Sequence, residues 1–303
     1  MNITQHNSTS TGDTFILSPG RNVSLKDFIE FSQFSKKIVA SEETRERIAA
    51  SRRALEKLVK EGSVIYGVNT GMGGFVDHLV PLERAEELQK NLIRGVATNV
   101  GERFSDIICR ATMFARIISL SRGNSALSLE NFDRFIAIYN AGLIPEIPRK
   151  GSLGTSGDLG PLAAMARMLT GEGNAWFNGE RLAAEDILHQ LGLAPLELSY
   201  KEGLALINGT SCMVALAALN VIETRSLLEQ YASISSFASE TLLARTRPFH
   251  PDVHQLKPHT GQQKSAEMIW NNLQGTRLSV DDIQLSSELG SRLMNTIKQE
   301  DMT

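Results

Sequence analysis

The sequence predicts a mainly α-helical fold, which is indicated by its proline placement, its composition and its apolar periodicity. No proline occurs between Pro81 and Pro145, or between Pro195 and Pro248. Both intervals are rich in Leu, Ala, Glu, Gln and Arg, which are good helix formers. We find no alternating strand pattern of any length and no internal repeat in the chain.

The first part of the chain divides into a tail and a helical region. Residues 1–20 predict a flexible N-terminal tail, because they begin with a polar stretch rich in Ser, Thr and Asn. We treat residues 21–303, the rest of the chain, as one region. Within it, apolar residues recur at helical spacing over residues 83–96 and predict a helix there.

Two further helices are expected in the second half of the chain. One begins near Pro161, and the other covers residues 212–244. The first half of the longer helix is apolar on nearly every side. Such a helix is usually buried in a larger assembly.

Length, charge and composition limit the function classes. The 303 residues are 42% apolar and 21% charged, with a formal net charge of −3. This balance excludes the basic patch that is typical of nucleic-acid binding. We find no signal peptide and no long apolar stretch that would predict a membrane partner. We therefore expect a cytoplasmic protein. Cys109 and Cys212 lie in apolar stretches and predict buried free thiols.

Three glycine-rich segments interrupt the helical pattern. They are residues 66–75 (YGVNTGMGGF), 151–160 (GSLGTSGDLG) and 206–210 (LINGT). Loops on a rigid helical scaffold are where chemistry tends to be located. These three segments are therefore the candidate functional loops.

Two common glycine-loop chemistries do not fit these segments. The first segment cannot complete a G-x-G-x-x-G phosphate cradle, because Val76 stands where glycine is needed. The second segment cannot form the G-x-S-x-G motif of a serine hydrolase, because Asp158 stands two residues after Ser156. Neither segment follows a predicted strand, which both motifs require.

Self-cyclisation is a third possibility, and Thr155, Ser156 and Gly157 have the atoms that it needs. The Gly157 nitrogen can attack the Thr155 carbonyl carbon, because glycine reaches strained backbone conformations easily. Loss of water leaves an imidazolone, and dehydration of Ser156 leaves an exocyclic methylene. On residues alone, however, such a run is more often a tight turn with a helix cap.

Four motifs together resemble the family of histidine, phenylalanine and tyrosine ammonia-lyases and the related aminomutases. The resemblance covers roughly residues 21 to 300 and implies an ammonia-lyase-like helical fold of the fumarase/aspartase-like superfamily. It also implies a homotetramer that needs no external cofactor. The matching motifs are residues 66–71, 121–125, 151–164 and 201–210.

The prosthetic-group tripeptide departs from the usual family pattern at Thr155, where most relatives have Ala. The Thr-Ser-Gly variant is similar to that of phenylalanine aminomutases from bacterial antibiotic pathways. Residues 72–75 and 96–101 are also closer to that subgroup. The resemblance therefore favours an aminomutase whose 4-methylidene-imidazole-5-one forms from Thr155, Ser156 and Gly157.

The resemblance also implies roles for residues outside the tripeptide. Tyr66 would remove the β-proton of the substrate, and its surroundings must activate it because a free phenol keeps its proton near neutral pH. Asn208 would hydrogen-bond near the prosthetic group or the substrate, and Gly73 would contribute to the substrate site. Asp158 would assist ring formation, although a helix-capping role is equally consistent with its position.

Val96 and Leu204 bear on the choice of substrate. The resemblance places a histidine at the position of Val96 in histidine-specific relatives, and a polar residue there in tyrosine-specific relatives. An apolar Val96 cannot pair with an imidazole N–H or a phenol O–H, and an unpaired group costs about 1–3 kcal/mol. We therefore expect a phenylalanine-like substrate, while a simple core role for Val96 stays open.

The reaction implied by the resemblance proceeds through cinnamate. A lyase would release cinnamate and ammonia, whereas an aminomutase would return the amine to the β-carbon and give β-phenylalanine. Family members continue beyond Thr303 with C-terminal helices that are absent from this sequence. The alternative is therefore a catalytically incomplete fragment that needs a separate C-terminal polypeptide as its partner.

Three histidines near the end of the chain also suggest a metal site. They are His250, His254 and His259, in a proline-rich segment. Their spacing is unusual for a metal site and no cysteine ligand accompanies them. The related enzymes have a similar structural loop there, so we expect no metal.

Overall fold

The protein is described by a computed structural model that covers residues 14–32, 36–154, 156–278, 287, 290 and 291. Short strands, β1 to β7 in chain order, span Thr14–Leu17, Lys37–Ala40, Val100–Arg103, Ile144–Pro145, Pro148–Lys150, Asn174–Phe177 and Glu180–Ala183. Helices α1 to α11 span Leu25–Ser32, Glu42–Lys60, Ala85–Val96, Asp106–Leu120, Leu129–Ala141, Leu159–Leu169, Ala184–Gln190, Glu202–Ile207, Ser211–Thr241, Pro251–Gln255 and Thr260–Asn272. The prediction of a mainly α-helical fold is confirmed.

The strands form three small sheets at the edges of the helical core. Strands β1 and β2 are parallel, β3 pairs antiparallel with β5, and β6 lies between β4 and β7. Each strand has only two to four residues. An alternating pattern needs more positions than this to be recognised, so the sequence did not reveal these strands.

Strand β1 corrects the prediction of a flexible tail through residue 20. Residues 14–17 pair with β2, and the side chains of Phe15 and Leu17 are buried. Because the polar stretch before them dominates the local composition, this four-residue strand was assigned to the tail. Residues 1–13 of the predicted tail lie outside the described residues.

Helix α4 lies at the centre of the core, with most of its side chains buried. Phe114 on this helix packs with four other rings at centroid distances of 5.5 to 6.4 Å. Aromatic pairs at such distances stabilise a core beyond the area that they bury. The rings around Phe114 belong to Phe15, Phe28, Phe31 and Tyr139.

A buried carboxylate joins α5 to α8. Glu202 is 1% exposed and accepts hydrogen bonds from the Ser128 and Ser199 amides, both at 2.8 Å. It also accepts from the Asn131 side-chain amide at 2.9 Å. Three donors satisfy a charge that would otherwise be costly to bury, and they fix the start of α8. Helices α3, α6 and α8 also pack against one another, and the candidate site is built on these three helices.

The chain divides into two compact units, Met1–Leu219 and Asn220–Thr303. The division falls within α9, and the sequence marks no boundary there because the helix is continuous. Helix α9 is also long and apolar enough to cross a membrane, with a mean hydropathy of 1.3 in its most apolar window. The expectation that no segment has this length and composition is therefore wrong, although core helices of soluble proteins share this property.

Both cysteines are buried free thiols, as the sequence predicted. Burial raises the pKa of the Cys109 thiol to about 12 and that of Cys212 to about 11. A thiol is nucleophilic only as the thiolate, which requires a pH near its pKa. We expect a thiol-reactive dye to leave both cysteines unmodified in the native protein near neutral pH and to label both after denaturation. Rapid labelling of the native protein would contradict this placement.

Candidate active site

The loop that carries Tyr66 is held by its own polar side chains. The Asn69 side chain accepts from the Ile65 amide at 2.7 Å and donates to the Ser63 carbonyl at 2.8 Å. The Thr70 hydroxyl accepts from the Gly67 amide at 3.1 Å. Asn and Thr form such local bonds readily, so residues 63–70 fold into a defined turn.

Tyr66 lies at the surface of this loop and contacts Gly73. The Tyr66 side chain is 47% exposed, and its hydroxyl oxygen accepts a hydrogen bond from the Gly73 amide at 3.1 Å. The arrangement therefore links two residues that were predicted separately, one as a base and one as part of the substrate site.

The tripeptide loop is described at two of its three residues, since Thr155 lies outside the described residues. Ser156 has a φ of 61° and Gly157 has a φ of 86°. A serine in the left-handed region is unusual and requires support from its surroundings. Helix α6 begins at Leu159, close to the predicted start near Pro161, and directs its amide end toward this loop.

Gly209, just after the end of α8, holds this loop through backbone contacts with Gly157 and Asp158. We call these contacts the clamp. Gly157 forms a parallel bridge with Gly209, and the Asp158 amide donates to the Gly209 carbonyl at 2.7 Å. A Cβ atom on Gly157 would lie 2.2 Å from that carbonyl oxygen, so only glycine fits here. Two of the three predicted glycine loops, residues 151–160 and 206–210, are therefore in direct backbone contact.

Asp158 has a cap-like position, but it caps a different helix from the one that it precedes. Its carboxylate is buried and accepts from the Met213 amide at 2.8 Å, in the first turn of α9. It makes no side-chain capping bond to α6. A carboxylate at a helix N-terminus is favoured by the helix dipole. Asp158 therefore joins the tripeptide loop to α9, and its predicted role in ring formation stays a prediction.

Helix α8 brings two predicted residues to the loops. Leu204 is 6% exposed, and its Cδ2 atom would lie only 2.5 Å from a Cβ atom on Gly67. Leu204 therefore packs directly beneath the Tyr66 loop. Asn208 ends the helix with an exposed side chain, immediately before the clamp residue Gly209.

Val96 lies at the C-terminal end of α3 and is half-buried. It lines a cavity of about 250 Å³ together with residues of the tripeptide loop, among them Gly157 and Leu159. Tyr66 and Leu204 do not line this cavity, and no hydrogen bond within the described part of the chain joins Tyr66 to the tripeptide loop. The described site residues therefore form two groups, one around Tyr66 and one around Gly157, and α8 adjoins both groups.

Gln89 is a residue that the sequence did not single out. It is fully buried on α3, and its side-chain oxygen accepts from the Leu204 amide at 3.0 Å. Its side-chain nitrogen donates to the Gly67 carbonyl at 3.4 Å. One amide therefore connects the Tyr66 loop to α8. The only sequence signal for Gln89 is that a polar residue follows an apolar helix position. This pattern is too common in helices to identify a functional residue.

Replacement of Gln89 by leucine should destabilise the protein. The change leaves the buried Gly67 carbonyl and Leu204 amide unpaired, which costs about 1–3 kcal/mol for each group. The free energy of unfolding, measured by urea denaturation, should fall accordingly. Gln230→Leu is the control, because Gln230 is exposed and its loss should cost within about 0.5 kcal/mol. Equal losses in both variants would contradict the role of Gln89.

Two of the three histidines of the proline-rich segment make structural side-chain contacts. The His250 ring accepts from the Asp252 amide at 3.3 Å and packs edge-on against Trp270. The His254 ring contacts the Pro248 carbonyl oxygen at 2.8 Å. Within the described residues, no group of three or more His, Cys, Asp or Glu side chains could hold a metal ion.

Comparison with known proteins assigns the chain to a family. Residues 23–298 match the family described as aromatic amino acid lyase, and the chain belongs to this family. Histidine ammonia-lyase from Caldanaerobacter subterraneus is 38% identical over 263 residues, which are 87% of this chain and 52% of that protein. Histidine ammonia-lyase from Symbiobacterium thermophilum is 38% identical, over 89% of this chain and 53% of that protein.

Solved structures support the same assignment. The phenylalanine aminomutase of Pantoea agglomerans matches with a TM-score of 0.87 and 45% identity, over 92% of this chain and 54% of that one. A tyrosine aminomutase from Streptomyces globisporus matches with a TM-score of 0.86 and 31% identity, over 92% and 52% of the two chains. The predicted ammonia-lyase-like fold is confirmed. The chain spans about half the length of the curated relatives that it matches.

Proposed function

We propose that this chain is the prosthetic-group-bearing part of an aminomutase that converts phenylalanine to β-phenylalanine through cinnamate. The backbone of the tripeptide loop carries this proposal. Ser156 and Gly157 both have positive φ, and Gly157 lies so close to the Gly209 carbonyl that no side chain could replace its hydrogen. A simple surface turn does not need this second constraint.

The loop fits the formation of a methylidene-imidazolone. The Gly157 nitrogen forms a bond to the Thr155 carbonyl carbon, and the carbonyl oxygen leaves as water. Ser156 loses its hydroxyl and its α-hydrogen as a second water, so no oxidant or reductant is required. The resulting group supplies an electrophilic carbon to the substrate. Gly209 and Asp158 hold the backbone on the C-terminal side of the attacking nitrogen.

The substrate side of the site favours a phenyl ring over a polar ring. Val96 borders the cavity beside Gly157, and an apolar side chain there leaves an imidazole N–H or a phenol O–H unpaired. That loss is worth about 1–3 kcal/mol, which corresponds to roughly fivefold to 150-fold in affinity. Leu204 contributes a second apolar surface next to the Tyr66 loop.

A lyase that releases ammonia from histidine or phenylalanine is the second candidate function. It is supported by the curated relatives, which are named histidine ammonia-lyases at 38% identity. The aminomutase is favoured by the 45% identity to a protein named phenylalanine aminomutase and by Thr155 in the tripeptide. Parallel assays with phenylalanine and histidine, scored for ammonia, cinnamate and β-phenylalanine, separate the two functions.

Intact mass spectrometry of the purified chain tests the proposal directly. The peptide that contains Thr155, Ser156 and Gly157 should be lighter by two water molecules than its sequence requires. An unmodified mass would overturn the proposed chemistry for this chain. A modified chain that gives no product alone should give product after the C-terminal half of a related aminomutase is added. This outcome would assign the missing part of the site to a second polypeptide.

Helix α9 supports assembly into a homo-oligomer, with a tetramer as the expected form. Its large apolar side chains are exposed, with Leu227, Tyr231, Ile234 and Phe237 between 65% and 73% exposed. Exposed apolar surface of this extent is typical of an interface rather than of a monomer surface. Sedimentation velocity of the purified chain would detect the assembly.

A further inference from the structure

Arg116 has an unusual environment for a charged side chain. It lies in the middle of α4 and is only 3% exposed. Within the described part of the chain it forms no ion pair with a carboxylate, and its Nε atom has no hydrogen-bond partner. Burial lowers the pKa of its guanidinium to about 10, so the group remains a cation near neutral pH. A buried cation without a counter-ion is costly, which calls for a compensating role.

The contacts of Arg116 all lie at the end of α8. Its Nη2 atom donates to the Asn208 carbonyl at 2.9 Å and also to the Ala205 carbonyl. A Cβ atom on Gly209 would lie 2.4 Å from its Nη1 atom, so the Gly209 backbone rests directly on the guanidinium. Carbonyl oxygens at a helix C-terminus carry partial negative charge and favour a cation.

The same backbone clamps the tripeptide loop on its other side. The Gly209 carbonyl accepts from the Asp158 amide at 2.7 Å and leaves no space for a side chain on Gly157. Three layers therefore follow one another: the Arg116 guanidinium, the 208–209 backbone and the Gly157–Asp158 backbone. A shift of the middle layer moves the nitrogen that must attack the carbonyl carbon of residue 155.

We infer that Arg116 is a positioning residue for ring closure in the tripeptide loop. It acts through the 208–209 backbone and does not touch the reacting atoms. The inference rests on the proposed function, since it concerns the formation of the same prosthetic group. A displacement of about 1 Å at a reacting centre can cost on the order of a hundredfold in rate. The competing explanation is that Arg116 only stabilises the end of α8.

Arg110 provides a matched control for this experiment. It lies on the same helix, is 1% exposed, and donates to the Tyr139 carbonyl at 2.9 Å while its guanidinium packs on the Tyr139 ring. The variants Arg116→Met, Arg116→Lys and Arg110→Met are purified as full chains, and their folded fractions are isolated by size exclusion. Each fraction is assayed for its unfolding midpoint and for the dehydrated share of the tripeptide by intact mass.

The expected result is that Arg116→Met and Arg110→Met lose similar stability but differ in dehydration. The dehydrated share should fall about tenfold or more in Arg116→Met and stay at the parent level in Arg110→Met. Arg116→Lys keeps the charge but lacks the planar guanidinium on which the Gly209 backbone rests, so its dehydrated share should fall between those of the two Met variants. If Arg116→Met does not fold, a lower dehydrated share in Arg116→Lys than in Arg110→Met decides in favour of the inference.

Two results would overturn the inference. One is complete dehydration of the folded Arg116 variants, and the other is an equal loss in Arg110→Met, which would tie dehydration to general stability. An undehydrated parent chain is a separate outcome, because it would overturn the proposed function itself. The parent mass therefore distinguishes the two failures before any variant is compared.

Discussion

Replacement of Ser156 by alanine should leave the tripeptide without its second dehydration and abolish the conversion of phenylalanine. In the proposed prosthetic group the exocyclic carbon comes from the Ser156 side chain, and alanine has no hydroxyl to lose. Because the electrophile then cannot form, turnover should fall by on the order of a thousandfold or more. Intact mass reports the missing water, and cinnamate absorbance reports turnover.

Ser226→Ala is the control for this variant. Ser226 lies on the exposed part of α9 and accepts a hydrogen bond from Gln230 at 3.3 Å. Its replacement removes a serine hydroxyl of the same kind without altering the glycine loops, so both waters should still be lost. Loss of two waters in Ser156→Ala would show that another residue supplies the second water, which would refute the assignment of the tripeptide.

Replacement of Tyr66 by phenylalanine should lower turnover while leaving the prosthetic group intact. The hydroxyl that would take the β-proton is removed, and general base catalysis is worth about a hundredfold to ten-thousandfold. Tyr66 is half exposed, so the free energy of unfolding should change by only about 0.5 kcal/mol. A large loss of kcat with an unchanged double dehydration is the expected combination.

Tyr231→Phe is the matched control, since it removes a tyrosine hydroxyl outside the glycine loops but keeps the aromatic ring that the proposed α9 interface would use. It should retain full turnover and the full loss of mass. If Tyr66→Phe also retained full turnover, a different group would have to remove the β-proton. The assay is run on whichever form converts phenylalanine, either the chain alone or the chain supplemented with the C-terminal half of a related aminomutase.

The sequence predicted the mainly helical fold and three individual helices, because their signals are local. The interval without proline between Pro81 and Pro145 contains α3, α4 and α5, and the helix predicted over residues 83–96 is observed as Ala85–Val96. Strand β1 was missed because four residues next to a polar stretch carry too little periodic information. The division inside α9 was also not predictable, since a continuous helix gives no local signal of a boundary.

The candidate site was predicted in part. Glycine positions such as Gly157 could be identified because the chemistry needs a residue without a side chain. The contact between Gly157 and Gly209 could not, since it depends on how α6 and α8 pack. Gln89 and Arg116 were missed for the same reason. A buried amide and a buried guanidinium look like ordinary helix residues until the backbone groups that they bind are known.

The clamp on Gly157 also sets an order of events during protein synthesis. Gly209 and Met213, which bind the Gly157–Asp158 segment, follow it in the chain and therefore leave the ribosome after it. Domains generally fold as their residues emerge, beginning from the N-terminus. A nascent chain that has not yet reached Met213 has the reacting tripeptide but no clamp. Under the proposed function, maturation of the electrophile would therefore wait until helix α9 has begun to form.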